Sequence, residues 1–163
     1  MPEGEKQVLQ ALTPEAIGRA RALLSSVDHG ALAVLEPGTG WPLASRVGLA
    51  TLPSGTPLIA VSRLAAHSAA LDADPRCSLL VGRLGGGDPL AQARMTLICR
   101  AAEIPHGTEA AAEARERYLA IHPKAAIYVD LPDFRFFRLN VERASFNAGF
   151  GRAYALEGRD LLG

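Results

Sequence analysis

The spacing of apolar residues predicts an amphipathic helix near the start of the chain. One face of residues 13–27 carries apolar side chains at helical spacing: Ile17, Ala20, Leu24 and Val27. Thr13, Pro14 and Glu15 are typical of a helix start, with a hydroxyl cap, a proline in the first turn and an acid. Gly30 follows the last turn, where a glycine in the left-handed conformation is expected to close the helix.

Beyond this helix the pattern changes to short apolar or alternating runs, which predict strands. These runs span residues 31–35, 43–51, 57–62, 76–83, 94–103, 134–146 and 152–156. Turns rich in proline and glycine separate the first three. Such short spacing favours antiparallel pairing, because parallel crossovers need a helix between strands. We therefore predict a mainly β, α+β fold: a small closed antiparallel barrel with peripheral helices.

Two further helices are predicted between the strands. Residues 64–72 can form two helical turns, which Asp74-Pro75 stops because proline disfavours helix in the residue before it. Residues 108–121 are rich in alanine and charge, and Thr108 is a suitable cap. Residues 124–129 fit either a short helix or a linker.

Composition narrows the classes of protein to consider. A chain of 163 residues fits one domain, residues 1–163, with residues 1–12 expected to be a flexible N-terminal arm. Its 17 basic and 17 acidic side chains balance, which argues against a nucleic-acid or membrane partner and makes self-association easier. No apolar run reaches the roughly 18 residues of a membrane span, and the N-terminus lacks the apolar core of a secretory signal. We therefore expect a cytoplasmic protein.

The junction of residues 62–68 is the first candidate for chemistry. Ser62 and Ser68 offer hydroxyl groups, Arg63 a planar guanidinium and His67 an imidazole where a strand gives way to a helix. Backbone N–H groups at a helix start and a guanidinium both favour anions, so the junction is a candidate phosphate cradle. Arg46, on the preceding strand, is expected to lie near it. An ordinary helix cap with a solvated arginine is the alternative.

Competing sites find little support in the sequence. No pair of histidines has metal-ligand spacing, and no metal site is expected. Gly85–Gly87 lack the lysine and hydroxyl residue of a phosphate-binding loop. Cys77 and Cys99 lie in apolar strands and are interpreted as buried free thiols, with a disulfide or reactive thiol as the alternative. Trp41 covers one end of the barrel or forms the wall of a site for a planar ligand.

Taken in order, several segments resemble the pyridoxamine-phosphate-oxidase-like split-barrel flavoproteins, and in particular their haem-utilisation-related branch. The resemblance spans residues 30–155 and is carried by residues 40–47, 62–67, 73–81, 94–97, 137–139 and 149–153. It implies an FMN-binding split β-barrel that forms a homodimer, with FMN at the dimer interface and a small molecule of unknown identity as substrate.

The resemblance also implies which residues hold FMN. Arg46 matches the strand arginine that reaches the phosphate, Ser62 and Arg63 match the serine–arginine pair of the phosphate loop, and His67 matches the histidine of the helix start. Arg94 matches a polar residue facing the flavin or its phosphate. The two remaining candidates are Ser45, through backbone groups along the ring edge, and Arg152, as a weaker candidate near the ring.

The chain departs from true pyridoxamine-phosphate oxidases. Thr51 and Leu64 stand where those enzymes carry lysines, so oxidation of pyridoxamine phosphate is not expected. The haem-utilisation relatives usually carry a further C-terminal domain, whereas this sequence stops at Gly163, so haem degradation is not implied. The sequence therefore predicts an FMN-dependent oxidoreductase with unassigned catalytic residues, or alternatively a non-catalytic FMN- or haem-binding protein. An empty site on a dimeric scaffold is the third possibility.

Overall fold

The structure is a computed structural model that describes residues 9–163. Three helices surround the sheet: α1 (Pro14–Ser26), α2 (Ala66–Ala73) and α3 (Glu109–Ile121). The eight strands are β1 (His29–Leu35), β2 (Pro42–Gly48), β3 (Ala50–Thr51), β4 (Pro57–Ser62), β5 (Arg76–Gly82), β6 (Arg94–Ile104), β7 (Phe134–Asn147) and β8 (Ala153–Glu157). Three 3₁₀ turns span Pro89–Ala91, Pro123–Ile127 and Gly158–Leu161.

All strand pairs are antiparallel, in the order β2-β1-β5-β6-β7-β4-β3. The long strand β7 pairs with β6 on one side, and on the other with β4 along its first half and β8 along its second. This curled sheet with peripheral helices confirms the predicted antiparallel split barrel.

Local sequence signals placed most elements correctly. Helix α1 begins as predicted, because the Thr13 hydroxyl accepts a hydrogen bond from the Ala16 N–H at 3.1 Å. Helix α3 begins in the same way at Thr108, whose hydroxyl accepts from the Ala111 N–H. Residues 123–127 form a 3₁₀ turn where the sequence left a helix or a linker open.

The predicted role of Gly30 is wrong. Helix α1 ends at Ser26, the next residue Val27 has extended backbone, and Gly30 lies inside β1 without a positive φ. A side chain is excluded there by packing, because a Cβ atom would lie 2.9 Å from the Leu79 side chain and from the Leu80 carbonyl oxygen of β5. The short helix also starts later than expected, at Ala66, which leaves Leu64 exposed.

The barrel interior is filled by the inward faces of the strands. Met95, Leu97 and Cys99 are buried on one face of β6, as their alternation predicts. On β7 the alternation is interrupted by a bulge opposite Ile98 and Cys99. The inward residues are therefore Arg135, Phe137 and Leu139 before it but Ala144 and Phe146 after it. A second apolar cluster joins α3 to the outer side of the sheet.

The N-terminal arm is described from residue 9 onward. The flexible arm predicted for residues 1–12 falls mostly outside the described residues, although the Gln10 N–H donates to the Ala153 carbonyl oxygen at 2.9 Å. None of the helices within residues 9–163 is long and apolar enough to cross a membrane.

Candidate functional site

The junction at the end of β4 is held by two carboxylates from elsewhere in the chain. The Ser62 hydroxyl donates to Asp133 Oδ2 at 2.7 Å, and the Arg63 N–H donates to the Asp133 carbonyl oxygen at 2.6 Å. The guanidinium of Arg63 donates to Glu103 Oε1 at 3.0 Å. The two groups expected to bind a phosphate therefore already have anionic partners within the chain.

Helix α2 adds little to an anion site. Ala65 caps it without a side-chain hydrogen bond. His67 is half-buried, and desolvation lowers the pKa of its imidazole, which favours the neutral ring. Ser68 is buried and points into the protein, where its hydroxyl accepts from Arg135 at 2.6 Å.

Arg135 is the centre of this side-chain network, and the sequence reasoning did not single it out. Only 2% of it is exposed. Its guanidinium donates to Asp72 through both terminal nitrogens at 2.8 Å, to Glu103 Oε2 at 3.1 Å and to the Ser68 carbonyl oxygen at 3.1 Å. It also lies over the Phe137 ring, 4.7 Å from the centroid. Residues 134–138 read FRFFR, and strand alternation places Arg135 on the inward face. This placement was the signal that could have identified Arg135 from the sequence.

The network carries more negative than positive charge. Arg63 and Arg135 face three carboxylates: Asp72, Glu103 and Asp133. Hydrogen bonding to Arg135 lowers the pKa of Asp72 below its usual value, so this carboxylate stays ionised at neutral pH. An incoming phosphate would meet a net negative environment at this junction.

Arg46 and Arg94 instead line a different cavity on the outer side of the sheet. This Arg46–Arg94 cavity has a volume of about 300 Å³ and lies over β1, β2, β5 and the start of β6. Ser62, Arg63 and His67 do not line it. Ser45 is not among its lining residues either, because successive side chains of a strand point to opposite faces.

The cavity combines positive charge with apolar surface. Arg46, Arg83 and Arg94 contribute guanidinium groups, and no Asp or Glu from residues 9–163 lines the cavity. Its apolar part comes from exposed leucines: Leu80, Leu84 and Leu90. The Arg94 guanidinium donates to the carbonyl oxygens of Leu90 at 2.8 Å and Gln92 at 3.3 Å, which fixes the loop before β6.

His29 stands at the wall of the same cavity with an oriented ring. Its Nδ1 lies 2.6 Å from Asp28 Oδ1. The hydrogen bond with His29 lowers the pKa of Asp28, so the carboxylate is ionised and Nδ1 carries the shared proton. In the neutral ring the lone pair is then on Nε2, which makes no hydrogen bond within residues 9–163. A histidine with this carboxylate partner is the usual form of a metal-binding imidazole.

The remaining sequence candidates lie apart from these residues. Trp41 is exposed in the turn between β1 and β2, and Arg152 is exposed just before β8. Within residues 9–163 no three His, Cys, Asp or Glu residues are grouped as protein-only metal ligands would be. The sequence analysis did not single out His29, although the adjacent Asp28 was the available signal for an oriented imidazole.

Comparison with known proteins places the chain in a family. Residues 17–148 match the pyridoxamine 5'-phosphate oxidase family. The chain belongs to this family. The match covers most of the sequence and agrees with the split barrel described above.

Three relatives align with most of this chain. The chain is 35% identical over 115 residues to the non-canonical haem oxygenase HOZ of Arabidopsis thaliana chloroplasts, a match that covers 71% of this chain and 34% of that protein. A haem-binding protein from Mycobacterium smegmatis is 36% identical, with a TM-score of 0.83 over 93% of this chain and 61% of that one. A protein of unknown function from Agrobacterium tumefaciens is 33% identical, with a TM-score of 0.83 over 96% of this chain and 65% of its own.

The chain is thus similar to one part of each of these relatives. It spans about a third of the plant protein and less than two thirds of the two bacterial ones. Two of the three relatives are named for haem, one as a haem oxygenase and one as a haem-binding protein.

Proposed function

We propose that this protein binds haem at the Arg46–Arg94 cavity. The observation that carries the proposal is the cavity itself, which joins three guanidinium groups, an apolar wall and an oriented histidine. Haem needs this combination, because it is a flat apolar macrocycle with two carboxylate arms and an iron that takes an axial ligand.

The lining residues fit haem group by group. Arg46, Arg83 and Arg94 suit the two propionate groups, since guanidinium pairs well with carboxylate. The leucines suit the macrocycle. His29 would ligate the iron through Nε2, with Asp28 holding the ring through Nδ1. The haem-binding relative from Mycobacterium smegmatis, at 36% identity, supports the choice of ligand.

We also propose a homodimer, which the size and position of the cavity support. A volume of about 300 Å³ is at the lower limit for an organic ligand, so part of the macrocycle would project from the surface. Leu80, Leu84 and Leu90 are exposed around the opening, where solvent contact with apolar surface is unfavourable. A second copy packed on this face would cover both the leucines and the ligand.

Bound haem would supply an iron able to react with oxygen and electrons. The chain itself would anchor the carboxylates with its arginines, hold the His29 imidazole in place and exclude water with its leucines. We therefore propose haem binding as the function, with any oxidative turnover belonging to the haem group.

FMN is the second candidate, favoured by membership of the pyridoxamine 5'-phosphate oxidase family. FMN would make the protein a flavin-dependent oxidoreductase, with its phosphate at Ser62 and Arg63 or in the Arg46–Arg94 cavity. The first location requires Asp133 and Glu103 to release their donors. The second does not, so the cavity is the better site for either ligand.

Replacement of His29 tests the haem proposal directly. In His29→Ala, haem affinity should fall at least tenfold, about 1.4 kcal/mol, because the iron loses its nitrogen ligand. The Soret band of the remaining complex should also shift. Titration of purified apoprotein with haem, followed by absorption, measures both quantities.

His106→Ala is the matched control, because His106 is exposed in the loop before α3 and does not line the cavity. It should bind haem like the wild type. An unchanged Soret band and affinity in His29→Ala would place the iron ligand elsewhere, and no spectral response of the wild type to haem would reject the proposal itself.

A double variant separates the two places where an FMN phosphate could bind. If the Ser62–Arg63 junction holds the phosphate, Ser62→Ala/Arg63→Ala should lose more than tenfold in FMN affinity. Because both groups are engaged by Asp133 and Glu103, we expect less than a twofold change in FMN affinity. Flavin fluorescence quenching provides the measurement, with Arg46→Ala as the variant expected to weaken binding of the same ligand.

A further inference from the structure

The loop between β5 and β6, residues 83–93, forms one wall of the Arg46–Arg94 cavity. Leu84 and Leu90 of this β5–β6 loop are largely exposed at the cavity opening, whereas Gln92 is half-buried. The cavity has a volume of about 300 Å³, at the lower limit for an organic ligand. The position of this wall therefore bears directly on how a macrocycle enters and leaves.

A single side chain ties the two ends of the loop together. The Gly85 N–H donates to Gln92 Oε1 at 2.7 Å, and Gln92 Nε2 donates to the Gly86 carbonyl oxygen at 3.3 Å. The carboxamide therefore uses its acceptor and its donor on two backbone groups at the other end of the loop. Within residues 9–163, these are the hydrogen bonds that hold Gly85–Gly87 in place.

The glycines allow the backbone to turn once the carboxamide contacts are broken. A Cβ atom at Gly86 or Gly87 would meet no heavy atom within 4 Å, and Gly87 has a φ of +98°. Glycine adopts either sign of φ readily, so this segment can change direction at little steric cost. The residues after it are stiffer, because the Asp88 carboxylate accepts from the Leu90 N–H at 2.9 Å and caps a 3₁₀ turn.

Arg94 connects the same loop to the charged part of the cavity. Its Nη1 donates to the carbonyl oxygens of Leu90 at 2.8 Å and Gln92 at 3.3 Å. Its Nε and Nη2 make no hydrogen bond within residues 9–163, and these two donors form an edge that suits a carboxylate. A carboxylate arm bound to Arg94 would therefore lie against a guanidinium that also holds the loop.

We propose that the β5–β6 loop is a gate of the cavity and that Gln92 is the positioning residue that keeps it closed. Opening breaks the two hydrogen bonds of Gln92 and moves Leu84 away from the cavity on the glycine segment. Gln92 thus sets how fast a flat ligand with carboxylate arms is exchanged, rather than how tightly it is held. The ligand named in this inference rests on the proposed haem binding, whereas the gate itself does not.

Amide hydrogen exchange of the ligand-free protein, followed by NMR, tests the gate without a cofactor. In Gln92→Ala the Gly85 amide should exchange about tenfold faster, the size expected when a hydrogen bond of modest net strength is lost. The amides of Leu79 and Leu97, which are paired inside β5 and β6, should exchange as in the wild type. Unchanged exchange at Gly85 would overturn the gate.

The kinetics of haem exchange test what the gate does. Transfer of haem from the loaded protein to excess apomyoglobin gives the dissociation rate, and stopped-flow mixing of apoprotein with haem gives the association rate. Both rates should rise about tenfold in Gln92→Ala, because both directions pass through the open loop. The dissociation constant should therefore stay within about threefold of the wild-type value.

Gln10→Ala is the matched control. The Gln10 carboxamide also donates to a loop carbonyl oxygen, that of Gly151 at 2.8 Å, but Gln10 does not line the cavity. Its haem exchange rates should equal those of the wild type. Faster dissociation with unchanged association in Gln92→Ala would make Gln92 a direct ligand contact and overturn the gate, as would unchanged rates. If the wild type does not respond to haem, the haem proposal fails, and the exchange rate at Gly85 still decides the gate.

Discussion

Arg135→Ala is expected to lower the free energy of unfolding by about 3 kcal/mol. The substitution removes the buried guanidinium that joins Asp72, Glu103 and Ser68, and leaves Asp72 without its cation and Glu103 with Arg63 alone. Breaking a buried ion pair costs about 3–5 kcal/mol. The lower end applies because the side chains of Asp72 and Glu103 remain 57% and 34% exposed, so water replaces part of the lost interaction.

Arg138→Ala is the matched control, on the same strand but exposed, and should change stability by less than about 0.5 kcal/mol. Urea denaturation followed by far-ultraviolet circular dichroism measures the free energy of unfolding of both variants.

The dependence of the free energy of unfolding on pH is a second readout. The lowered pKa of Asp72 stabilises the folded chain above its ordinary pKa, and this contribution is lost as pH falls through the lowered value. Acid sensitivity should therefore decrease in Arg135→Ala. A variant as stable as the control would mean that the network contributes nothing net.

A pair of glycine-to-alanine substitutions should have effects of opposite sign. In Gly158→Ala the new Cβ would overlap the Val141 carbonyl group, so β7 or the 3₁₀ turn after β8 must move. We expect a loss of about 3 kcal/mol, at the upper end of the cost of overpacking. Gly18 lies inside α1 with no heavy atom within 4 Å of a Cβ, and Gly18→Ala should gain about 0.5–1 kcal/mol.

Thermal unfolding of the two variants beside the wild type provides the comparison. The melting temperature should fall in Gly158→Ala and rise in Gly18→Ala. If Gly158→Ala melts with the wild type, the close approach of Gly158 to β7 is not a constraint on the fold.

Sequence patterns predicted the elements because their signals are local. The Thr13 and Thr108 caps, the alternation of β6 and the turns rich in proline and glycine each depend on a few adjacent residues. These local patterns do not determine which strand packs against a given residue. Gly30 illustrates this, because its reason for being glycine is a neighbour on β5 rather than the end of its own helix. The bulge in β7 likewise depends on its pairing with β6.

The candidate site residues also show the difference between local sequence signals and contacts made by distant residues. Hydroxyl and guanidinium groups at a strand-to-helix junction made Ser62 and Arg63 candidates, but their partners lie far along the chain: Asp133 is 71 residues from Ser62, and Glu103 is 40 residues from Arg63. Arg46 and Arg94 were both candidates in the sequence, and the tertiary structure brings them together with His29 in one cavity. The roles of all these residues in cofactor binding stay predictions until a ligand is measured.

The pairing of β4 with β7 has a consequence for how fast the barrel assembles. The helix α2, two strands and α3 all lie between these partners in sequence, whereas β1 and β2 form a hairpin across six residues, 36–41. The entropy of closing so long a loop must be overcome before its contacts stabilise anything, and such topologies refold in milliseconds to seconds. The hairpin should therefore form first and β4 should join β7 late, so Ile59→Val in β4 is expected to accelerate unfolding more than it slows refolding.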